Sequence, residues 1–336
     1  MRFFRRDDGV RLRVVEGFRE EIIARRPGRA PRPEWGESDY EVAAANLLAQ
    51  TERRLKQFAR YGTEIDAARV LEVGCGSGLY SLAMASHGFE LVIGIDLRLP
   101  LFEPGAAGER LRRLARKILK RLGLGEDIER ALRKLPIRLL TMDARKMTLA
   151  PDSFDIIWSG ACLEHVVPVE PALAEMARVL TGEGLMYHRI DPFFWVRGCH
   201  RPGLVEIPWA HARMSSAEYE RFVRVTEGRA RAAMRANFLQ QLNRFTVRRW
   251  RELIESGPVE IQAWNEDHPE WVVELLYQYP EVRRTTVDDV SSHDLTCSLI
   301  TAVLRGKRHE SSNREATVGD VLAGRVPGAR RGRVRD

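Results

Sequence analysis

The most constraining feature of this chain is the run RVLEVGCGSGLYSLAMASHGFELVIGIDL, residues 69–97. Glycines at 74, 76 and 78 follow directly on the apolar residues 70–73. Glycine lets backbone approach a ligand closely, because no Cβ stands in the way. Residues 70–73 read as a buried strand, 79–86 as a helix and 90–95 as the next strand. Strand, glycine turn, helix, strand is the opening of a parallel βαβ sheet.

The alternation continues downstream. Residues 137–140 read as a strand ending at TMDARKM, and 155–159 as a strand inside DSFDIIWSGACLEHV. EPALAEMARVL reads as a helix stopped at residues 181–184, where glycines terminate helices well. GLMYHRI is the fifth strand; PVEIQAW and LTCSLITAVLR supply the last two. The expected fold is α/β: a Rossmann-like, doubly wound, seven-stranded and mostly parallel sheet with helices on both faces, plus helical insertions. Residues 39–305 form one domain in this reading. An irregular basic N-terminal arm (1–38) precedes it and a flexible basic tail (306–336) follows. A helix over 39–61 places Val42, Leu48, Leu55 and Phe58 on one face. Residues 109–135 form a basic amphipathic insertion with Leu111, Leu114, Ile118 and Leu122 at helical spacing. Residues 191–245 carry many aromatics and read as a largely helical insertion able to cover a substrate. Thr246 is the expected N-cap of the helix in TVRRWRELIESG.

Charge narrows the partners without choosing one. Lys plus Arg total 54 against 47 Asp plus Glu, a net +7. That balance admits an anionic small molecule, a nucleic acid or a membrane surface. No window reaches the roughly 18 uninterrupted apolar residues of a membrane span, and the charged first residues do not read as a secretory leader. The four cysteines, at 75, 162, 199 and 297, are widely separated and unpaired in pattern. A cytoplasmic setting is therefore expected.

Spacing decides which ligand the glycine loop suits. A dinucleotide site needs G-x-G-x-x-G or A, whose last small residue lets the helix pack beneath a pyrophosphate. Here that place holds Leu79, so NAD and FAD are disfavoured. No G-x-x-x-x-G-K-[ST] occurs either. An acid before the glycines, Glu72, and another ending the next strand, Asp96, suit a ligand with hydroxyls and a cationic group. S-adenosylmethionine has both.

VLEVGCGSG, then GIDL, then MDARKMTLAPDSFDIIWSGACLEHV, then EMARVLTGEGLMYHRID resembles the class I S-adenosylmethionine-dependent methyltransferase family. The similarity is to the small-molecule branch that includes quinone-biosynthesis methyltransferases, and more loosely to methyltransferases associated with polysaccharide biosynthesis. The resemblance implies S-adenosylmethionine as cofactor and S-adenosylhomocysteine as product. It implies that Gly74, Cys75, Gly76 and Gly78 wrap the methionine portion, with Glu72 near it. Asp96 would accept from the ribose hydroxyls and Leu97 would flank the adenine. Asp143 would accept from the adenine amino group, with the amide of Ala144 facing the ring. Ser159 and Gly160 would border the transferring methyl. Outside that resemblance, Asp96 and Asp143 read equally as solvated carboxylates at strand ends.

Methyl transfer from a sulfonium is a displacement accelerated largely by holding acceptor and methyl together. His165 in CLEHV is the candidate base, since a near-neutral pKa suits removal of a hydroxyl proton; it could equally cap or orient the following helix. Glu164 beside it, and His188 on the fifth strand, are the groups able to join it. Some relatives bind a divalent ion through E-x-x-E-H with a further histidine. Here Ala161 replaces the first glutamate, so no metal is expected. The [DN]-P-P-[FYW] motif of exocyclic-amino methylation is absent after the fourth strand, where the chain reads SGACLEH. The expected reaction is O-methylation of a small-molecule, glycan or lipid-linked acceptor, anionic ones included. The alternatives are an RNA methyltransferase drawing on the basic insertion and tail, or a non-catalytic cofactor-binding protein.

Overall fold

The computed structural model describes residues 2–25, 35–62, 64, 66–307, 319 and 321. Most of the expected tail, and residues 26–34 of the expected arm, lie outside that range. A small hairpin, β1 (Phe3–Arg5) with β2 (Arg11–Arg13), precedes the main sheet. The sheet strands are β3 (Arg69–Val73), β4 (Leu91–Asp96), β5 (Ile137–Thr141), β6 (Phe154–Gly160), β7 (Leu180–Ile190), β8 (Val259–Asp267) and β9 (Leu299–Gly306). Their order is β5-β4-β3-β6-β7-β9-β8. The first five run parallel, and β9 runs antiparallel to both of its neighbours. From β3 the chain winds outward to β4 and β5, then returns to β6 on the other side. Open α/β sheets bind ligands at such a reversal, outside the carboxyl ends of the strands.

The apolar strand runs are continuous because both faces of the sheet are covered. Alternation by two sends Leu71, Val73, Ile93, Ile95 and Ile157 to one face, under the helices Glu170–Val179 and Val247–Glu255. Val70, Val92, Ile156 and Trp158 go to the other, under the helices Glu37–Arg60, Leu79–Met84 and Ala106–Arg121. Each such side chain, fully removed from water, contributes about 1.5–3 kcal/mol. Thr246 caps its helix as expected, its hydroxyl accepting from the Arg249 amide at 3.1 Å.

Several local expectations give way to tertiary packing. On the helix Glu37–Arg60 the buried stripe is Tyr40, Ala44, Leu47, Thr51, Leu55 and Phe58. Val42, expected on that stripe, is exposed: it lies two residues, about 200° around the helix, from both Tyr40 and Ala44 of the buried stripe. The glycines at 182 and 184 do not end the preceding helix in a turn. The helix stops at Val179 and β7 begins at Leu180, pairing with Phe154 across a register shift. Leu295 and Thr296 are helical rather than extended, because Ser291 and Asp294 close a capping box.

The described part of the expected arm is ordered. Leu12, Phe18 and Ile22 are buried against residues of the 191–245 segment and its neighbours. Such a partner, nearly two hundred residues away, leaves no local signal. The basic insertion is helical over Ala106–Arg121 and Ile128–Lys134, and it buries Leu114, Ile118 and Leu119. Lys117 and Arg121 both bond Glu41, at 3.2 and 2.8 Å. Among the described residues no helix is long and apolar enough to cross a membrane.

Candidate active site

The three glycines all adopt left-handed backbone, with φ of 72°, 56° and 74°. That conformation turns the chain at the end of β3 and aims successive amides back at β4. Gly74 and Cys75 donate to the Ile95 carbonyl at 2.9 and 3.0 Å. Gly76 donates to Asp96 Oδ2 at 2.8 Å, and Arg98 donates from its amide to Oδ1 at 3.2 Å. Both carboxylate oxygens of Asp96 are thereby fixed in place. Each keeps lone-pair capacity for a further donor.

These groups open onto a cavity of about 730 Å³. Gly74, Gly76, Asp96, Leu97, Asp143 and Ala144 form one side of it. The loop after β6 supplies Ala161, Cys162, His165, Val166 and Val167, and the end of the helix Arg229–Gln240 brings Gln240 and Gln241. The cavity therefore lies at the carboxyl ends of β3, β4 and β6. Leu97 is 64% exposed, an apolar side chain held open at the rim.

Five expected cofactor residues do not line that wall. Glu72 is buried behind the loop, where its oxygens bond Arg54 at 3.0 Å and Ser81 at 2.5 Å. Burial raises its pKa, and Arg54 opposes the rise. Arg54 itself sits over the rings of Tyr80 and Trp158, at 3.7 and 4.4 Å. Cys75 is buried, and its thiol is pushed well above the ordinary range by burial. Gly78 lies against Leu139, where a Cβ would come within 2.6 Å of a methyl. Ser159 bonds His188 Nδ1 at 2.8 Å, because the two are register neighbours on β6 and β7. Gly160 faces the Trp158 indole instead. His188 is thus a core histidine, fully buried, with its pKa lowered to about 4 by burial. It does not join Glu164 and His165.

Asp143 is held by a neighbour. Arg145 donates to its oxygens from Nε at 3.0 and 3.1 Å and from Nη2 at 2.7 Å. That contact keeps the carboxyl below its usual range. Arg145 also donates from Nη1 to the Val167 carbonyl at 2.7 Å. The cavity's two sides are tied together through this one guanidinium.

The turn Leu163–His165 carries the reactive groups. Glu164 is 2% exposed, and neither of its carboxylate oxygens has a partner among the described residues. Burial, and then the charge of Asp191, push its pKa up to about 8. His165 stacks on His200 with ring centroids 4.9 Å apart and planes 18° apart, and burial lowers its pKa. One ligand-capable atom from each of Glu164, His165 and His200 lies within 4.8 Å of the others. Sequence reasoning offered His188 as the third group; the fold supplies His200. Asn243 fixes the turn from beneath: its amide donates to Glu164 O at 2.8 Å, and its Nδ2 to the carbonyls of Leu163 and Val166 at 2.9 and 2.7 Å. Asn243, Arg145, His200, Gln240 and Gln241 were not anticipated. Arg145 meets Asp143 only two residues away, while the others act across a loop or an insertion, where no spacing in the sequence marks them.

The aromatics of the 191–245 insertion mostly pack inward. Phe193, Phe194, Trp209, Tyr219 and Phe222 are buried in two clusters of their own. Arg213 is buried too, donating to Thr285 Oγ1 at 2.7 Å and the Pro208 carbonyl at 2.9 Å.

The Methyltransferase domain family model matches residues 71–188. The malonyl-acyl-carrier-protein O-methyltransferase of a Methylovorus species is 29% identical over 156 residues, 46% of each chain. The ubiquinone biosynthesis O-methyltransferase of Rhizobium rhizogenes is 28% identical over 123 residues, covering 37% of this chain and 41% of that one. The chain thus spans less than half the length of these curated relatives. A solved S-adenosylmethionine-dependent methyltransferase of Mesorhizobium loti superposes with a TM-score of 0.42 at 17% identity, over 74% of this chain and 96% of the other.

Proposed function

We infer that this chain, a member of the class I S-adenosylmethionine-dependent methyltransferase family through residues 71–188, O-methylates a small acceptor, glycan- and lipid-linked hydroxyls included. The observation that carries this reading is the single cavity onto which the glycine backbone, the Asp96 carboxylate and the His165 imidazole all open. The donor set fits the cofactor. Asp96 offers two oriented oxygens to a diol, Leu97 an exposed apolar side to a flat base, and Gly74 and Gly76 bare backbone for close approach. Asp143 would have to share its oxygens with Arg145 to meet the adenine amino group. The bound cofactor supplies an electrophilic methyl.

The chain's own contribution is positioning and one proton transfer. His165 stands across the cavity from Asp96, and its lowered pKa keeps the imidazole neutral near pH 7, able to accept a hydroxyl proton at a ring nitrogen. Glu164, holding a proton of its own, adds no net charge beside it. Gln240 and Gln241 bring the 191–245 segment to the mouth, where an acceptor would enter. Arg112, Arg116, Lys117, Lys120 and Arg121 of the basic helix are each ion-paired with a glutamate, which favours a small acceptor over nucleic acid.

Calorimetric titration with S-adenosylmethionine and S-adenosylhomocysteine, followed by product assay over hydroxyl- and amine-bearing acceptors, tests the reading. One-to-one binding with turnover on hydroxyls is expected. Absence of binding at millimolar cofactor would remove the cofactor assignment; turnover on amines alone would remove the oxygen assignment.

A further inference from the structure

At the far edge of the sheet, away from the cavity, a second group of side chains converges. Glu266 is the penultimate residue of β8 and His268 lies just past its end, two residues on, so an extended backbone sends them the same way. His293 and Cys297 lie four apart on the helix Ser292–Thr296 and its C-cap, hence on one face. The fold brings E-x-H against H-x-x-x-C. One ligand-capable atom from each of Glu266, His268 and Cys297 lies within 4.8 Å of the others. His293 Nε2 meets Glu266 Oε2, and the His268 and His293 rings are 4.5 Å apart.

The surrounding hydrogen bonds orient these atoms. The Thr296 hydroxyl donates to the Ser292 carbonyl at 3.0 Å, so its oxygen accepts from His268 Nδ1 at 2.9 Å. That fixes the proton on Nδ1 and leaves the Nε2 lone pair facing Glu266 Oε2, 3.6 Å away. A cation between these two atoms would be held by both, in place of the hydrogen that His293 Nε2 now shares with Oε2. Trp264 Nε1 donates to the other carboxylate oxygen, Oε1, at 2.5 Å, and so turns Oε2 toward the histidines. A partner on the non-ligating nitrogen of a histidine, and on the non-ligating oxygen of a carboxylate, is the usual outer support of a metal site.

We propose that Glu266, His268 and Cys297 form the core of a site for a divalent transition ion of the zinc class, completed to four ligands when His293 turns from Glu266 Oε2 to the ion, acting as a structural clip between the end of β8 and the segment entering β9. One thiolate, two imidazoles and one carboxylate suit a tetrahedral ion of borderline softness. Four protein ligands close the coordination sphere, which marks a structural rather than a catalytic role. Binding releases the Cys297 thiol proton to solvent, and the His293 proton now held between Nε2 and Glu266 passes to solvent while Nδ1 takes one up, so that the neutral ring gives its Nε2 lone pair to the ion. His293 is the exposed member, and it provides the path of entry. The clipped helix is coupled inward, since Asp294 Oδ1 accepts from the Val247 amide at 2.8 Å.

The test uses the full chain stripped with chelator and titrated with Co²⁺, then with Zn²⁺ in competition. One equivalent should bind with tetrahedral d–d bands and a thiolate-to-cobalt charge-transfer band, all displaced by zinc. Zinc should raise the melting temperature. Cys297→Ser should abolish the charge-transfer band, and His268→Ala should weaken zinc at least tenfold, each variant melting within a few degrees of the stripped wild type. The Glu164–His165–His200 group contains no cysteine, so a charge-transfer band that survives Cys297→Ser overturns the assignment. So does the lack of saturable one-to-one binding at micromolar ion. Cofactor binding is read separately, and its failure would leave this site untouched.

Discussion

Gly74 and Cys162 face each other so closely that a Cβ on Gly74 would lie 2.2 Å from the Cys162 sulfur. Gly74 also has φ of 72°, so Gly74→Ala meets both backbone strain of about 1–2 kcal/mol and an overpacked contact costing about 1–3 kcal/mol. Gly76→Ala meets only the strain, because nothing lies within 4 Å of its Cβ position. Chemical denaturation should therefore show Gly74→Ala less stable than Gly76→Ala by about 1–3 kcal/mol. Equal stabilities would contradict the loop geometry described above.

Asp96 bonds the chain through one backbone amide on each oxygen, contacts that asparagine can partly keep, so replacing it should disturb the ligand more than the fold. Asp96→Asn removes a charge-assisted acceptor, at a cost of about 1.5–3 kcal/mol. Affinity for S-adenosylhomocysteine should fall by about 10- to 100-fold, with the melting temperature nearly unchanged. Calorimetry checks both, and an unaltered Kd would place the cofactor elsewhere.

Asn243 holds the turn that presents His165, without reaching the cavity wall. Asn243→Ala orphans the Val166 carbonyl, at about 1–3 kcal/mol, and leaves Leu163 O only the Val166 amide. Cofactor affinity, set across the cavity at Asp96, should change little, while kcat drops tenfold or more. Parallel losses in affinity and kcat would mean that the turn matters for folding alone.

Glu164 gives the protein a pH dependence of unusual sign. Its folded pKa of about 8 stands above the ordinary 4.5, so the native state binds the extra proton between these values. Stability from this group is intact below pH 4.5 and falls as pH rises toward 8, by about 3 kcal/mol at pH 7. Glu164→Gln should flatten the profile between pH 5 and 8. Urea denaturation in the presence of chelator measures it, and identical slopes for the two proteins would show that Glu164 is ionised when folded.

The central strands, the glycine turn and the Asp96 end of β4 were legible because their causes are local. A buried strand needs a short apolar run, a left-handed turn needs glycine, and both lie within 30 residues of each other. The seven-stranded architecture followed from repeated alternation. The boundaries at Leu180 and Leu295 did not, since a strand register and a capping box decided them.

What the sequence determined alone is the βα frame and the acidic, glycine-lined side of the cavity, because hydrophobic periodicity and backbone freedom are properties of neighbouring residues. What only tertiary structure decided is the opposite side. His200 rather than His188 reaches Glu164, Arg145 ties to the Val167 carbonyl, Asn243 carries the His165 turn, and the aromatics of the 191–245 segment turn inward. Those outcomes depend on which side chains meet across tens to hundreds of residues of chain, and contacts of that range are fixed by packing the whole core.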